Sequence, residues 1–180
     1  MKGVVFTEFL DFVGDRYGAN AVDDIIDASD LPSGGAYTSV GTYSHAEMVQ
    51  LCTALAEHTG EPAPELVRDF GTHLSCSFAR DHHRFFERSS NFFDFLESIE
   101  GHIHVEVRKL YPGAELPSFT TELRTPTQLV MQYRSPRRMG DLAEGLIVGT
   151  ARRFGVEARV QTTLIDGSDG QAVRFVVDLV

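Results

Sequence analysis

Residues 99–119 read Ile-Glu-Gly-His-Ile-His-Val-Glu-Val-Arg-Lys-Leu-Tyr-Pro-Gly-Ala-Glu-Leu-Pro-Ser-Phe. Leading into and through this stretch, Phe92, Leu96, Ile99, Ile103 and Leu110 recur at helical steps. That spacing predicts one helix over 91–109, capped by Ser90 or Asn91. Tyr111-Pro112-Gly113 stops it, because proline cannot continue a helix and glycine favours the exit turn. A short turn carrying Pro117 then leads into strand-like sequence. The chain changes texture here, with helical periodicity before it and alternation after it.

Working back towards the amino end, Val5, Phe6, Phe9, Leu10 and Val13 predict a helix over 2–17. A second helix is expected over 20–28, capped by Asn20, and Leu31 to Gly35 reads as a loop. Ser44 is placed to cap a third helix, with Glu47 completing a capping box. Pro62 to about Phe78 reads as a fourth helix with Gly71 inside it. A mid-helix glycine costs about 1 kcal/mol against alanine, so Gly71 marks either close approach, a bend, or simple tolerance. Residues 82–86 continue helically. Downstream, Phe119–Leu123 and Gln128–Tyr133 alternate like paired strands, Leu142–Phe154 is helical, and Glu157–Ile165 and Gln171–Leu179 flank a hairpin turn at Asp166–Gly170. Helices followed by strands with one inserted helix imply an α+β fold, a helical amino-terminal lobe packed on a four-stranded antiparallel sheet.

At 180 residues one domain is expected. The net charge of −10 makes nucleic acid and anionic membranes poor partners. Cys52 and Cys76 form neither a disulfide framework nor a zinc motif. Glu8, Asp11 and Asp15 follow Val4-Val5-Phe6 at once, which is an amphipathic helix rather than a signal peptide. No apolar run reaches membrane-spanning length, so a cytoplasmic location is expected. Of the seven histidines, His102 and His104 share the helix of the opening stretch. Two residues apart on a helix means about 200° of rotation, so one of them can face a cofactor and the other cannot join it.

An opening Met1-Lys2-Gly3, then Phe70-Gly71, then His104 followed by Tyr111-Pro112, then Leu116-Pro117, then Tyr133-Arg134-Ser135-Pro136-Arg137 occur together and in order. The set resembles the H-NOX family, the heme nitric oxide/oxygen-binding domains of bacteria and of soluble guanylate cyclase, across essentially the whole chain. The resemblance implies heme b (iron protoporphyrin IX) between the helical lobe and the sheet lobe, with His104 as the iron ligand. It implies one heme domain over 1–180, a helical sub-lobe over about 1–62 and heme-enclosing helices and sheet over about 63–180. Tyr133, Ser135 and Arg137 would bind the heme propionates. Two hydroxyls and an arginine fork suit carboxylates, and alternation on one strand end could present all three. Standing alone, the same residues are a basic surface turn. Gly101 would leave room for the porphyrin face, or is only a weak helix position. Pro117 would press on the porphyrin, or is a simple turn proline.

Oxygen-binding members of the family carry a distal tyrosine. Leu142 stands at that position here, and Val5, Phe9, Leu74, Phe78 and Leu146 would complete an apolar pocket. The same six residues also suit an ordinary core. Without a donor, nitric oxide is the expected ligand, with carbon monoxide as a second diatomic, and little stable oxygen binding. Some bacterial members have a cysteine-rich zinc site near the carboxy-terminal sheet; residues 139–180 hold no cysteine. The resemblance implies a stand-alone sensor rather than an enzyme. Nitric oxide would release His104, the lobes would shift with Gly3 and Gly71 as pivots, and a histidine kinase or cyclic-di-GMP enzyme would read the change in trans. Two rival classes remain at this point, a heme- or metal-dependent oxidoreductase and a heme-free ligand- or protein-binding module.

Overall fold

The computed structural model describes residues 1–180. Helices come first: α1 (Gly3–Tyr17), α2 (Ala19–Asp27), α3 (His45–Thr59), α4 (Ala63–Asp81), α5 (His83–Glu87), α6 (Phe92–Ser98), a π-helical turn (Ile99–Ile103) and α7 (His104–Leu110). Strands β1 (Ser118–Arg124), β2 (Gln128–Arg134), β3 (Ala158–Leu164) and β4 (Ala172–Leu179) follow, with α8 (Gly140–Arg153) between β2 and β3. The sheet is antiparallel throughout, in the order β1-β2-β4-β3. This is the α+β arrangement that the change of texture at Pro117 predicts.

Apolar burial falls into two clusters rather than one. The first joins α1 to α4 through Phe6, Phe9, Phe12, Ile25, Leu51, Leu55, Phe70 and Leu74. Phe9 and Phe70 meet edge to face at 5.1 Å, a geometry that aromatic quadrupoles favour. The second lies under the sheet, where alternate residues of β2 and β4 (Leu129, Met131, Tyr133; Val173, Phe175, Val177) pack on α8 and on Phe92, Phe95 and Leu96. Fully burying one such side chain is worth roughly 1.5–3 kcal/mol, so each cluster is a substantial core of its own. No helix is long and apolar enough to cross a membrane.

Several local expectations change. Asn20 does not cap α2: the chain turns at Gly18, at φ 92°, and the helix begins at Ala19 without a side-chain cap. Ser44 does cap α3, accepting from the Ala46 N–H. Glu47, however, reaches to Ser33 and, at 3.0 Å, to Tyr37 instead of closing a capping box. The carboxylate therefore ties the loop before α3 onto the helix. The helix expected over 91–109 is interrupted by the π turn just before His104, and π turns occur disproportionately at functional sites.

Gly71 is a point of close approach. A Cβ there would stand 2.5 Å from the Leu142 carbonyl oxygen and 2.9 Å from Gly145 Cα. A Cβ at Gly145 would overlap the Arg68 carbonyl, and one at Gly149 would overlap Ser75 Oγ. Helices α4 and α8 thus touch backbone to backbone along a line of glycines. Arg68–Asp141 at 2.7 Å and Thr72 donating to the Gly145 carbonyl at 3.3 Å flank the crossing. Gly145→Ala is expected to destabilise by about 1–3 kcal/mol, as overpacking does, read as a lower denaturant midpoint. Gly101→Ala is the control: its Cβ meets nothing within 4 Å, and its effect should stay within about 1 kcal/mol.

Candidate functional site

His104 opens α7 immediately after the π turn, and its ring is buried. Its Nδ1 lies 3.1 Å from Glu100 Oε2, while its Nε2 has no hydrogen-bond partner in the protein. Burial lowers the imidazole pKa, and the Glu100 contact only partly opposes this. A buried imidazole with one nitrogen held by a carboxylate and the other without a protein partner is the arrangement of a metal-ligating histidine. Glu100 is itself well occupied. The Phe119 N–H donates to Oε2 at 3.2 Å and Arg108 to Oε1 at 3.3 Å. Burial pushes the Glu100 carboxyl up, but the hydrogen bonds from His104, Phe119 and Arg108 outweigh it and hold the pKa below the ordinary range.

From His104 a line of rings leads into the sheet. Phe119 lies 6.0 Å from His104 and 5.5 Å from Tyr133, and Tyr133 lies 6.2 Å from Phe175. Tyr133 is near the end of β2. Ser135 follows the strand, donating its N–H to the Gln171 carbonyl, and Arg137 is carried by the next turn. Only Tyr133 of the three is on the strand, so a turn rather than strand alternation gathers the set. Tyr133 and Ser135 are buried. Burial pushes the Tyr133 phenol up, and contacts with Ser135 and the Met139 backbone hold it back. Arg137, 15% exposed, donates to the Glu115 carbonyl at 2.6 Å and to its carboxylate at 2.8 Å. Pro117 lies directly before β1, half-buried, and Gly101 sits in the π turn with open space at its Cβ position.

Val5, Phe9, Leu74, Phe78, Leu142 and Leu146 all belong to the first apolar cluster. Ile99, Ile103, Phe119 and Tyr133, which neighbour His104, all belong to the second. The residues expected on opposite faces of a cofactor therefore sit in separate clusters. No group of three His, Cys, Asp or Glu is placed to hold a metal ion. A metal resting on His104 would need its other ligands from a cofactor, as a porphyrin provides. The donor set at Tyr133, Ser135 and Arg137 matches carboxylates. A heme therefore fits the residues present, by a vacant Nε2, an open Gly101, an apolar wall and a set of hydroxyl and guanidinium donors. Elsewhere, a cleft of about 590 Å³ opens between α1, α2 and α4, but Glu8, Asp11, Asp15 and Asp23 line it. Carboxylates suit neither the propionates nor the apolar face of a heme.

The haem-NO-binding family model matches residues 2–162. The chain belongs to this family, the H-NOX domains. It is 39% identical to the Fe(II) unliganded H-NOX protein from K. algicida, covering 100% of this chain and 97% of that one, with a TM-score of 0.94. It is 36% identical to the Shewanella woodyi H-NOX bound to IWP-051 in the Fe(II)CO state, covering 99% and 94%, with a TM-score of 0.83. It is 25% identical to the S. oneidensis H-NOX in the Fe(II)NO state, covering 100% and 99%, with a TM-score of 0.89. No curated protein matches the chain. The H-NOX fold is that of a heme-based gas sensor, and H-NOX domains are sensors rather than enzymes.

Two neighbours of His104 escape the sequence. Glu100 has no role in the sequence reading; the usable signal is a carboxylate four residues before a candidate ligand. Phe119 reads only as the start of a strand. Cys52 is buried, and burial pushes its thiol up to about 12. Such a thiol is inert as a redox group.

Proposed function

We propose that this H-NOX domain is a nitric oxide sensor in which residues 1–180 form one heme b domain with two lobes, divided at about residue 62. The observation that carries the reading is His104, buried, held at Nδ1 by Glu100 and without a hydrogen-bond partner at Nε2. His104 holds the iron; Tyr133, Ser135 and Arg137 hold the propionates; Pro117 and Gly101 shape the porphyrin's seat. The heme iron supplies the site for a diatomic gas, nitric oxide and also carbon monoxide. Val5, Phe9, Leu74, Phe78, Leu142 and Leu146 exclude water and offer no hydrogen-bond donor. Dioxygen needs such a donor to be retained, and nitric oxide needs far less help.

His104 would hold the iron against nitric oxide, and its release would let α7 and the π turn move against the sheet, with the α4–α8 crossing and Gly3 as pivots. Gly3 is confined by its neighbours, because a Cβ there would overlap the Thr38 carbonyl. A separate signalling protein reads the changed surface in a cytoplasmic setting, and a histidine kinase or a cyclic-di-GMP enzyme fits that role.

Absorption spectroscopy of the reduced protein tests the ligand preference: nitric oxide should shift the heme band, and air should leave it as the unliganded species before slow oxidation. A stable new band in air would overturn the apolar-pocket argument. His104→Gly is expected to lose heme unless imidazole is added; normal heme retention without imidazole would remove His104 as the ligand. Leu142→Tyr places a phenol donor on the distal wall and should raise oxygen affinity roughly tenfold or more, the yield of one good hydrogen bond. Equilibrium titration with oxygen checks it.

A further inference from the structure

We propose that Glu100 is a positioning residue for His104 and that it passes the state of that histidine to the edge strand β1. The inference rests on the reading of His104 as the iron ligand.

The carboxylate is the one side chain that joins the histidine to the sheet by hydrogen bonds. Its Oε2 is shared between His104 Nδ1 at 3.1 Å and the Phe119 N–H at 3.2 Å. Its Oε1 takes Arg108 at 3.3 Å. Accepting from Nδ1 fixes the tautomer, points the Nε2 lone pair outward and raises its basicity, which strengthens the bond that Nε2 makes to a metal. The helical rod of α6, the π turn and α7 is fastened to β1 at its other end as well. There Arg124 lies 3.2 Å from Asp94 and 3.3 Å from Glu97. The clamp of Arg124 on Asp94 and Glu97 involves no candidate ligand. The Glu100 contact does involve the ligand. A shift of His104 therefore acts on β1 at one end only, at Phe119, two residues beyond Pro117. β1 is an edge strand, paired on one side to β2 with a register break between Thr121 and Leu123. An edge strand with a bulge yields to a pull at one end more readily than an inner strand.

The test uses the full heme-loaded chain, wild type against Glu100→Gln and Glu100→Ala. Resonance Raman spectroscopy of the ferrous protein gives the iron–histidine stretching frequency, and stopped-flow mixing with nitric oxide gives the rate of histidine release. Hydrogen exchange reads the Phe119 amide and β1. The expected result for Glu100→Ala is a lower stretching frequency, release about tenfold faster, as loss of an outer partner to a ligating histidine typically produces, and no nitric-oxide-dependent change in exchange across β1. Glu100→Gln keeps an acceptor without the charge and should fall between the two, and it carries the test if Glu100→Ala does not retain heme. A wild-type stretching band that both variants leave unmoved, with release rates unchanged, would overturn the role of Glu100 while leaving His104 in place. Absence of any iron–histidine band in the wild type would overturn both.

Discussion

The glycine-lined crossing of α4 and α8 is the constraint on which the rest of the molecule depends. Gly71 and Gly145 let two helix backbones meet with no side chain between them, and Gly149 makes room beside them for the Ser75 side chain. Close-packed interiors do not deform gradually, so this contact fixes the relative position of the two helices. It also fixes what they carry. Leu74 and Phe78 project from α4, and Leu142 and Leu146 from α8, into one apolar cluster. The opposite side of α8 contributes Ala143, Ile147 and Ala151 to the cluster beneath the sheet. The wall that would face a gas ligand and the root of the sheet are thus set by the same contact.

A second link between helices and sheet is of a different kind. Along α6, the π turn and α7, the carboxylates of Asp94, Glu97 and Glu100 reach β1 through Arg124 and the Phe119 N–H. Hydrogen bonds and ion pairs near a surface are worth about 1 kcal/mol or less each, and they can exchange partners without breaking a core. One link resists displacement and the other tolerates it. On the proposed reading, a fold that holds heme in register while His104 moves needs both.

Sequence periodicity reveals this architecture well, because helical and strand patterns are local. The passage from helix to strand at Pro117, the hairpin at Asp166–Gly170 and the helix between β2 and β3 are all visible in single stretches of chain. What is not visible depends on distant partners or on averaged periods. Gly71 is conspicuous, but its partner Gly145 lies far along the chain and reads as one more tolerated glycine. The π turn escapes because one widened turn barely disturbs an apolar stripe running from Phe92 to Leu110. Glu100 escapes because a carboxylate on a helix normally faces water. Asn20 misleads because Gly18, able to adopt a positive φ, ends the turn earlier than a side-chain cap would. Among the proposed site residues, His104, Tyr133, Ser135 and Arg137 come from motif resemblance. Their supports, Phe119 and Glu100, are legible only once the sheet is brought against the helix.

The first apolar cluster also bears on selectivity. Nitric oxide, carbon monoxide and dioxygen are nearly the same size, so no arrangement of methyl and phenyl groups can sort them by shape. They differ in how strongly they bind a metal and in how much charge they accept. If Val5, Phe9, Leu74, Phe78, Leu142 and Leu146 form the wall facing the gas, as proposed, they leave that difference uncorrected, because they supply no donor. On the proposed reading, discrimination against dioxygen then comes from a missing interaction. It needs no dedicated residue, and it is lost by adding one hydroxyl in the right place. The same wall contributes apolar burial to the fold, so the choice of ligand and the stability of the helical lobe rest on the same side chains.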